Sequence, residues 1–187
     1  MASATPPSDQ PPWEDFLAEV DSLLKAPVEI HCLGGFIVTV RHGRPRTTGD
    51  LDYIEIVPLA AARELEEIAG KQSKLAKKHR VCIHSAAVAD LPDGYKERLT
   101  ELLPGRFTNI RLFALEAHDL ALSKLTRNWP VDREDIEYLA KTVPLDPKVL
   151  KERYERELRP IVMGDVAKHD HTLKLVLEAY FDYQVAD

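Results

Sequence analysis

Two aspartates that stand one residue apart, Asp50 and Asp52, open an apolar run of this sequence that is typical of a β-strand. Residues i and i+2 of a strand point to the same face, so the α-carbons would lie roughly 6.5 Å apart at about 3.3 Å per residue. Carboxylates this close repel unless a cation lies between them, and Mg²⁺ is the natural candidate. The sequence therefore indicates a metal site, with two solvent-facing acids on an edge strand as the alternative.

A glycine pair precedes these acids. Gly34 and Gly35 follow the apolar run from 28 to 33, which predicts a short strand ending at a turn. Because glycine has no side chain, a phosphate can approach the backbone N–H groups there. Glycines and paired carboxylates together suggest a site for magnesium and a nucleoside triphosphate.

A second group of charged residues lies further along the chain. Lys124 and Arg127 are three residues apart, which places them on one face of a helix. Arginine can hold phosphate oxygens bidentately and lysine acts as a point charge, although a solvated basic face is the alternative. Asp132 and Asp135 follow with the same spacing, and Asp132 also suits a helix N-terminus. We expect Lys124 to be exposed, so that its truncation costs little stability.

The order of these motifs resembles the nucleotidyltransferase superfamily, the DNA polymerase beta-like group, over roughly residues 28 to 140. The glycine pair and the D-L-D-Y segment match the G-[GS] step and the D-x-D strand of that group. The later D-L-x-x-S-K-L-x-R and D-R-x-D segments look like its toxin-type branch, which includes abortive-infection toxins of toxin–antitoxin systems.

The resemblance implies an α/β (α+β) fold, a nucleotidyltransferase-like mixed β-sheet flanked by helices, with an all-helical C-terminal part. It implies transfer of a nucleoside monophosphate from a triphosphate to an acceptor hydroxyl of a tRNA 3′ end or a protein, with Mg²⁺ bound by Asp50 and Asp52. An antitoxin would be the partner of a toxin of this kind. Lys124 and Asp135 would also be catalytic, with Asp135 as a base or as the group that orients the lysine. The nucleotide would contact Gly34, Gly35, Arg46, Thr48, Ser123, Lys124 and Arg127.

One departure from the superfamily leaves other functions open. The strand expected at 80–84 lacks the usual third carboxylate, so either His84 or Asp90 would take its place. A non-catalytic nucleotide-binding or regulatory module of the same fold is therefore an alternative. A small-molecule nucleotidyltransferase, similar to those that modify aminoglycosides, is another.

Bulk properties set the remaining expectations. The 187 residues are 44% hydrophobic and 30% charged, with a net charge of −6, which argues against a general nucleic-acid coat but allows a local basic groove. No apolar run approaches the roughly 18–20 residues that cross a bilayer, and buried free thiols at Cys32 and Cys82 fit a cytoplasmic protein. We expect a disordered leader (1–12), a core (13–115) and a helical subdomain (116–187).

Periodicity predicts the main elements. We expect strands at 28–33, 51–57, 80–84 and 109–115. We expect helices at 13–24, 35–40, 59–69 (continuing toward 78), 95–103, 118–128, 131–142, from 147 toward 160, and 173–181. Trp13, Phe16 and Trp129 read as core residues. Arg133 is expected to pair with Asp132 or Asp135.

Overall fold

The computed structural model describes residues 13–86 and 89–183, and it confirms the mixed α/β fold. The leader predicted at 1–12 lies outside the described residues. The strands are β1 (Val28–Leu33), β2 (Asp50–Val57), β3 (Cys82–Ser85), β4 (Thr100–Leu102) and β5 (Ile110–Ala114). The helices are α1 (Trp13–Leu23), α2 (Gly34–Val40), α3 (Ala62–Ala69), α4 (Lys74–His79), α5 (Ala117–Arg127), α6 (Pro130–Thr142), α7 (Pro147–Arg153) and α8 (Val166–Phe181).

The five strands form one mixed sheet in the order β3-β2-β1-β5-β4. Strand β2 runs antiparallel to β1 and parallel to β3. A bulge interrupts the β1–β2 ladder: His31 pairs with Glu55, but Cys32 pairs with Tyr53. Ile54 is thus the extra residue on β2, as expected where two residues of one strand oppose one of the other.

Apolar periodicity explains how α1 covers this part of the chain. Phe16, Leu17 and Val20 are fully buried, at the i, i+1 and i+4 positions of one helix face. Trp13 is also buried and meets the ring of Phe36 on α2 edge to face, with centroids 4.7 Å apart. Each such side chain contributes about 1.5–3 kcal/mol through burial. The core roles predicted for Trp13 and Phe16 are confirmed.

The described chain divides into two compact units. The strand unit comprises residues 13–86 and Glu101–Phe113, and so holds the sheet apart from the end residues Thr100 and Ala114. The helical unit comprises residues 89–100 and the chain from Ala114 onward, where α5 packs against α6, α7 and α8. The domain boundary at 115/116 stays a prediction.

Three predicted elements differ from the structure. The last helix, expected at 173–181, begins seven residues earlier, at Val166, after Asp165, whose side chain accepts from the Lys168 N–H. The helix expected to run toward residue 78 ends at Ala69, and α4 begins separately after Ser73, whose hydroxyl accepts from the Ala76 N–H at 3.0 Å. A serine in this position satisfies an orphan N–H and starts a new helix. The helix predicted at 95–103 is instead a 3₁₀ turn at Asp93–Arg98 followed by β4.

None of the helices in residues 13–86 and 89–183 combines the length and apolar character that a membrane crossing requires.

Candidate functional site

The two aspartates of β2 share one face of the strand, as the spacing predicts. Asp50 is exposed, and the Asp52 side chain keeps 26% of its accessible surface. On the neighbouring β3, Cys82 lies opposite Asp50 and His84 lies opposite Asp52. Two carboxylates, a thiol and an imidazole therefore form a small polar surface at one end of the β2–β3 pair.

Asp50 meets a neutral partner on β3. The Cys82 thiol donates to Asp50 Oδ1 at 3.2 Å. Burial, with this hydrogen bond to a carboxylate, raises the pKa of Cys82 to about 12, so the thiol keeps its proton at neutral pH. Within the described residues no cation forms an ion pair with Asp50, and its negative charge faces solvent. Cys32 and Cys82 are both free and buried, which confirms that prediction.

Asp52 faces the position where the sequence lacks an acid. His84 Nδ1 is 3.6 Å from Asp52 Oδ1, which is beyond hydrogen-bond length but within ion-pair range. An imidazole therefore stands where the superfamily usually supplies a carboxylate. Asp90, the other candidate, belongs to the helical unit and accepts from the Met163 N–H at 3.4 Å.

Gly34 is required by the close approach of Asp52. The last residue of β1, Leu33, pairs with Asp52, so the chain turns into α2 directly beside that carboxylate. Gly34 has φ of +77°, in the left-handed region that glycine favours, and a Cβ added there would lie 2.5 Å from Asp52 Oδ2. The glycine thus lets the backbone pass within contact distance of the acidic pair.

Gly35 lies under an arginine. The Arg46 guanidinium contacts the position that a Cβ of Gly35 would take, and the Thr48 hydroxyl oxygen is 3.6 Å from it. The same hydroxyl donates to the main-chain carbonyl of Asp50 at 3.2 Å, which braces the entry into β2. The structure therefore gathers Gly34, Gly35, Arg46 and Thr48 beside the acids, as the resemblance implies.

The acidic pair suits Mg²⁺ better than a metal that needs a full protein cage. Across residues 13–86 and 89–183, no three His, Cys, Asp or Glu side chains are grouped as a metal centre. Mg²⁺ is commonly held by one or two carboxylates, with substrate phosphates and waters as its other ligands. Asp50 and Asp52 could supply those two carboxylates, and Arg46 adds a cation for phosphate oxygens.

Lys124 is buried, which corrects the expectation that it is exposed. It is 2% exposed, and its Nζ donates to Asp135 Oδ2 at 2.6 Å and lies 3.6 Å from Asp132 Oδ1. Both aspartates are fully buried. Asp132 is shared with Arg127, whose Nε donates to its Oδ2 at 2.7 Å. The α5–α6 pair is thus joined by a cluster of two buried acids, the buried Lys124 and the part-exposed Arg127.

The neighbours of this cluster differ from expectation. Ser123 donates to the carbonyl of Leu120 in its own helix at 2.7 Å. Trp129, predicted to be core, is 60% exposed, and the Arg127 guanidinium lies 4.9 Å from its ring centroid. Arg133, expected to pair with Asp132 or Asp135, makes no side-chain ion pair in the described structure, because α6 turns it away from both.

A second buried network lies at the other end of α5 and was missed at the level of sequence. Asp119 is fully buried and accepts from Arg98 Nε at 2.8 Å and Arg153 Nη1 at 2.9 Å. Arg153 also binds Glu116. Asp119 begins the D-L-x-x-S-K-L-x-R segment and lies in the first turn of a predicted helix, but neither signal identifies partners so distant along the chain.

Glu116 caps α5 and is held ionised by its neighbours. Its carboxylate accepts from the His118 N–H at 3.0 Å and from His118 Nδ1 at 2.7 Å. The Asp146 N–H donates to His118 Nε2, so the proton of the imidazole lies on Nδ1. Burial by itself would raise the pKa of Glu116, but His118 and Arg153 lower it to about 2.

The mixed sheet, the flanking helices and the D-x-D pair define a nucleotidyltransferase-like α+β protein. The family described as a nucleotidyltransferase of unknown function (DUF6036) matches residues 17–186, and the chain belongs to this family. The comparison with curated proteins and the comparison with solved structures give no match.

Proposed function

We propose that the protein transfers a nucleoside monophosphate from a nucleoside triphosphate to an acceptor hydroxyl in a magnesium-dependent reaction that releases pyrophosphate. The observation that carries this proposal is the pair of accessible carboxylates, Asp50 and Asp52, next to a glycine turn and an arginine. Among the residues that the structure describes, no cation pairs with Asp50, so this acid is open to a cation from outside.

Five residues of the strand unit have roles in this proposal. Asp50 and Asp52 would bind the cation, which when bound neutralises charge on the triphosphate and orients it. Gly34 leaves room for the Asp52 carboxylate beside the chain, and Arg46 holds phosphate oxygens. Thr48 fixes the backbone at Asp50 and so the direction of its carboxylate.

The roles of Lys124, Arg127 and Asp135 in nucleotide use are proposed from the resemblance. Their geometry supports different roles for these residues within the helical unit. Arg127 keeps 44% of its side-chain surface and can meet a phosphate, whereas Lys124 is enclosed by Asp132 and Asp135. In this proposal Asp135 orients the lysine rather than taking a proton from an acceptor.

The direct experiment incubates the protein with each labelled triphosphate, Mg²⁺ and, separately, total RNA, a protein lysate or aminoglycosides. We expect label to enter RNA or protein and to disappear with Asp50→Asn combined with Asp52→Asn. Asp15→Asn, an exposed acid of the same unit, is the matched control and should retain transfer. Transfer that survives the double variant would refute the assignment of the site.

The most specific version of this function is the toxin of a bacterial toxin–antitoxin pair, proposed from the similarity to abortive-infection toxins. Growth arrest on expression of the wild-type chain, absent with the double variant and relieved by a neighbouring gene, would support it. Normal growth with demonstrable transfer in vitro would instead favour a modifying enzyme of another kind.

One observation favours a second candidate, a non-catalytic nucleotide-binding module. His84, and not a carboxylate, faces Asp52 across the β2–β3 pair. Calorimetry separates the two functions: the module predicts nucleotide binding with no label transfer to any acceptor. The enzyme predicts binding that needs Mg²⁺ and turnover that follows it.

A further inference from the structure

An open groove in the helical unit carries polar groups that the α5–α6 cluster does not use. It lies between the α5–α6 junction and α8, and its volume is about 130 Å³. This is below the roughly 300–1,000 Å³ of enclosed small-ligand sites, so the groove suits contact with part of a larger ligand. Its lining residues include Asn128, Arg133, Thr172, Leu175, Val176 and Tyr180.

Asn128 brings an unpaired acceptor to this groove. The Thr172 hydroxyl donates to the carbonyl of Lys168 at 2.9 Å, so it can only accept from the Asn128 amide, whose Nδ2 lies 3.4 Å away. That arrangement fixes the amide orientation and leaves Asn128 Oδ1 buried with no hydrogen-bond partner in the described structure. A buried acceptor without a partner costs free energy until a donor reaches it.

Arg133 brings an unpaired cation to the same groove. Its side chain is exposed and forms no ion pair or side-chain hydrogen bond within residues 13–86 and 89–183. The apolar part of the lining includes Leu175, which is 50% exposed. The groove therefore offers an apolar wall, a phenol and a cation together.

Trp129 adds an aromatic face beside the groove. It follows Asn128 directly, and its carbonyl accepts from the Arg133 N–H at 3.2 Å, so it lies one helical turn before that residue. The ring is 60% exposed and is stacked by Arg127. Two aromatic side chains thus occur in this region with arginines near them: Trp129 is stacked by Arg127, and Tyr180 lines the groove together with Arg133.

We propose that this surface binds single-stranded nucleic acid. Aromatic faces stack on bases of any sequence, and cations beside them meet the phosphates. Asn128 Oδ1 is buried in this structure, so its side chain would have to rotate before it could accept from an exocyclic amino group of a base, a donor that neither a phosphate nor an apolar peptide side chain offers. A repeated pair of ring and cation matches a strand of several nucleotides better than one nucleotide. The idea that the bound strand is the acceptor of the transfer reaction rests on the proposed function, whereas the binding of nucleic acid does not.

The test titrates the full chain into a fluorescein-labelled single-stranded RNA of eight nucleotides and measures the fluorescence anisotropy. The buffer contains EDTA and no triphosphate. We expect Trp129→Ala to weaken binding about 5- to 100-fold, since stacking on an aromatic residue is worth that much per base. Arg133→Gln should weaken binding and reduce the salt slope by about 0.7. Met163→Ala and Arg156→Gln are matched controls, because both side chains are exposed on the helical unit.

Further variants and competitors decide the outcome. Trp129→Phe should recover most of the affinity while Trp129→Leu, which keeps an apolar side chain without a ring face, should not. Three results would each overturn the proposal. They are equal binding by Trp129→Leu and wild type, no binding of the RNA at low salt, and competition by a free mononucleotide as strong as that by the octamer. Asp50→Asn with Asp52→Asn should bind RNA normally, so failure of the catalytic assignment remains distinguishable.

Discussion

The acidic residues of the strand unit and of the helical unit are held in opposite ways. On β2, Asp50 faces solvent with a neutral thiol as its nearest polar partner. In the helical unit, Asp119, Asp132 and Asp135 are completely buried, and each contacts a lysine or an arginine. The sequence alone made Asp50 and Asp135 functional candidates alike, and only the structure separates them.

This difference distinguishes structural charge from charge that is open to a ligand. Removing a carboxylate from water costs several kcal/mol, and a buried one is tolerated only when a cation and hydrogen bonds compensate. The helical acids are therefore committed to Lys124, Arg127, Arg98 and Arg153. The β2 pair keeps accessible surface, and in the proposed function these two carboxylates would bind the metal ion.

The largest effect that would sharpen this comparison is expected at Lys124. Lys124→Met leaves Asp135 buried without its cation, which should lower the free energy of unfolding by about 3–5 kcal/mol. Urea denaturation measures the change. Lys141→Met, at an exposed lysine, should cost less than about 0.5 kcal/mol. Similar stability of the two variants would show that the buried cluster is not structural.

A smaller effect is expected at the glycine turn. Gly34→Ala places a methyl group against Asp52 at a positive φ, and we expect a loss of roughly 1–3 kcal/mol. Gly105 also has a positive φ but has nothing within 4 Å of an added Cβ, so Gly105→Ala isolates the cost of backbone strain. A thermal melt of both variants gives the contribution of the contact with Asp52 as their difference.

The pH dependence of stability sharpens the comparison from the helical side. The pKa of Glu116 is about 2 in the folded protein against 4.5 in an unfolded chain, so its stabilising effect is complete above 4.5 and is lost as pH falls toward 2. Between pH 5 and 3 we expect a loss of about 1 kcal/mol after solvent screening. Urea titrations should show this loss for wild type and a shallower one for Glu116→Gln. Parallel curves would contradict the assignment.

The smallest effect on stability is expected at β2. Asp50→Asn with Asp52→Asn should change the unfolding free energy by less than about 0.5 kcal/mol, because neither acid is buried. The double variant should nevertheless lose any rise in melting temperature that Mg²⁺ and a triphosphate give wild type. A large loss of stability without ligand would mean that the two units hold their acids alike.

Local pattern was sufficient for much of the fold. The limits of β1 match the prediction, and β2 starts only one residue earlier than predicted. Both strands were predictable because glycines and prolines bound their apolar runs. The same-face arrangement of Asp50 and Asp52 follows from strand alternation alone.

What local pattern missed depends on contacts between distant residues. The burial of Lys124 depends on the packing of α6. The exposure of Trp129 depends on its position in the junction before Pro130. Residue type alone therefore gave the wrong prediction for both. The break before α4 was readable at Gly70 and Ser73, but the lysine-rich run that follows favours a continuous helix.

The bulge in the β1–β2 ladder determines which side chain meets the turn. In an uninterrupted ladder that continued from His31 opposite Glu55, Leu33 would pair with Tyr53, and a phenol would occupy the place beside Gly34. The extra residue, Ile54, moves the pairing by one and presents Asp52 instead. The chemistry of this surface thus depends on an apolar residue that takes no part in it. A relative that has the same aspartates but lacks this extra residue in β2 would not form the same site.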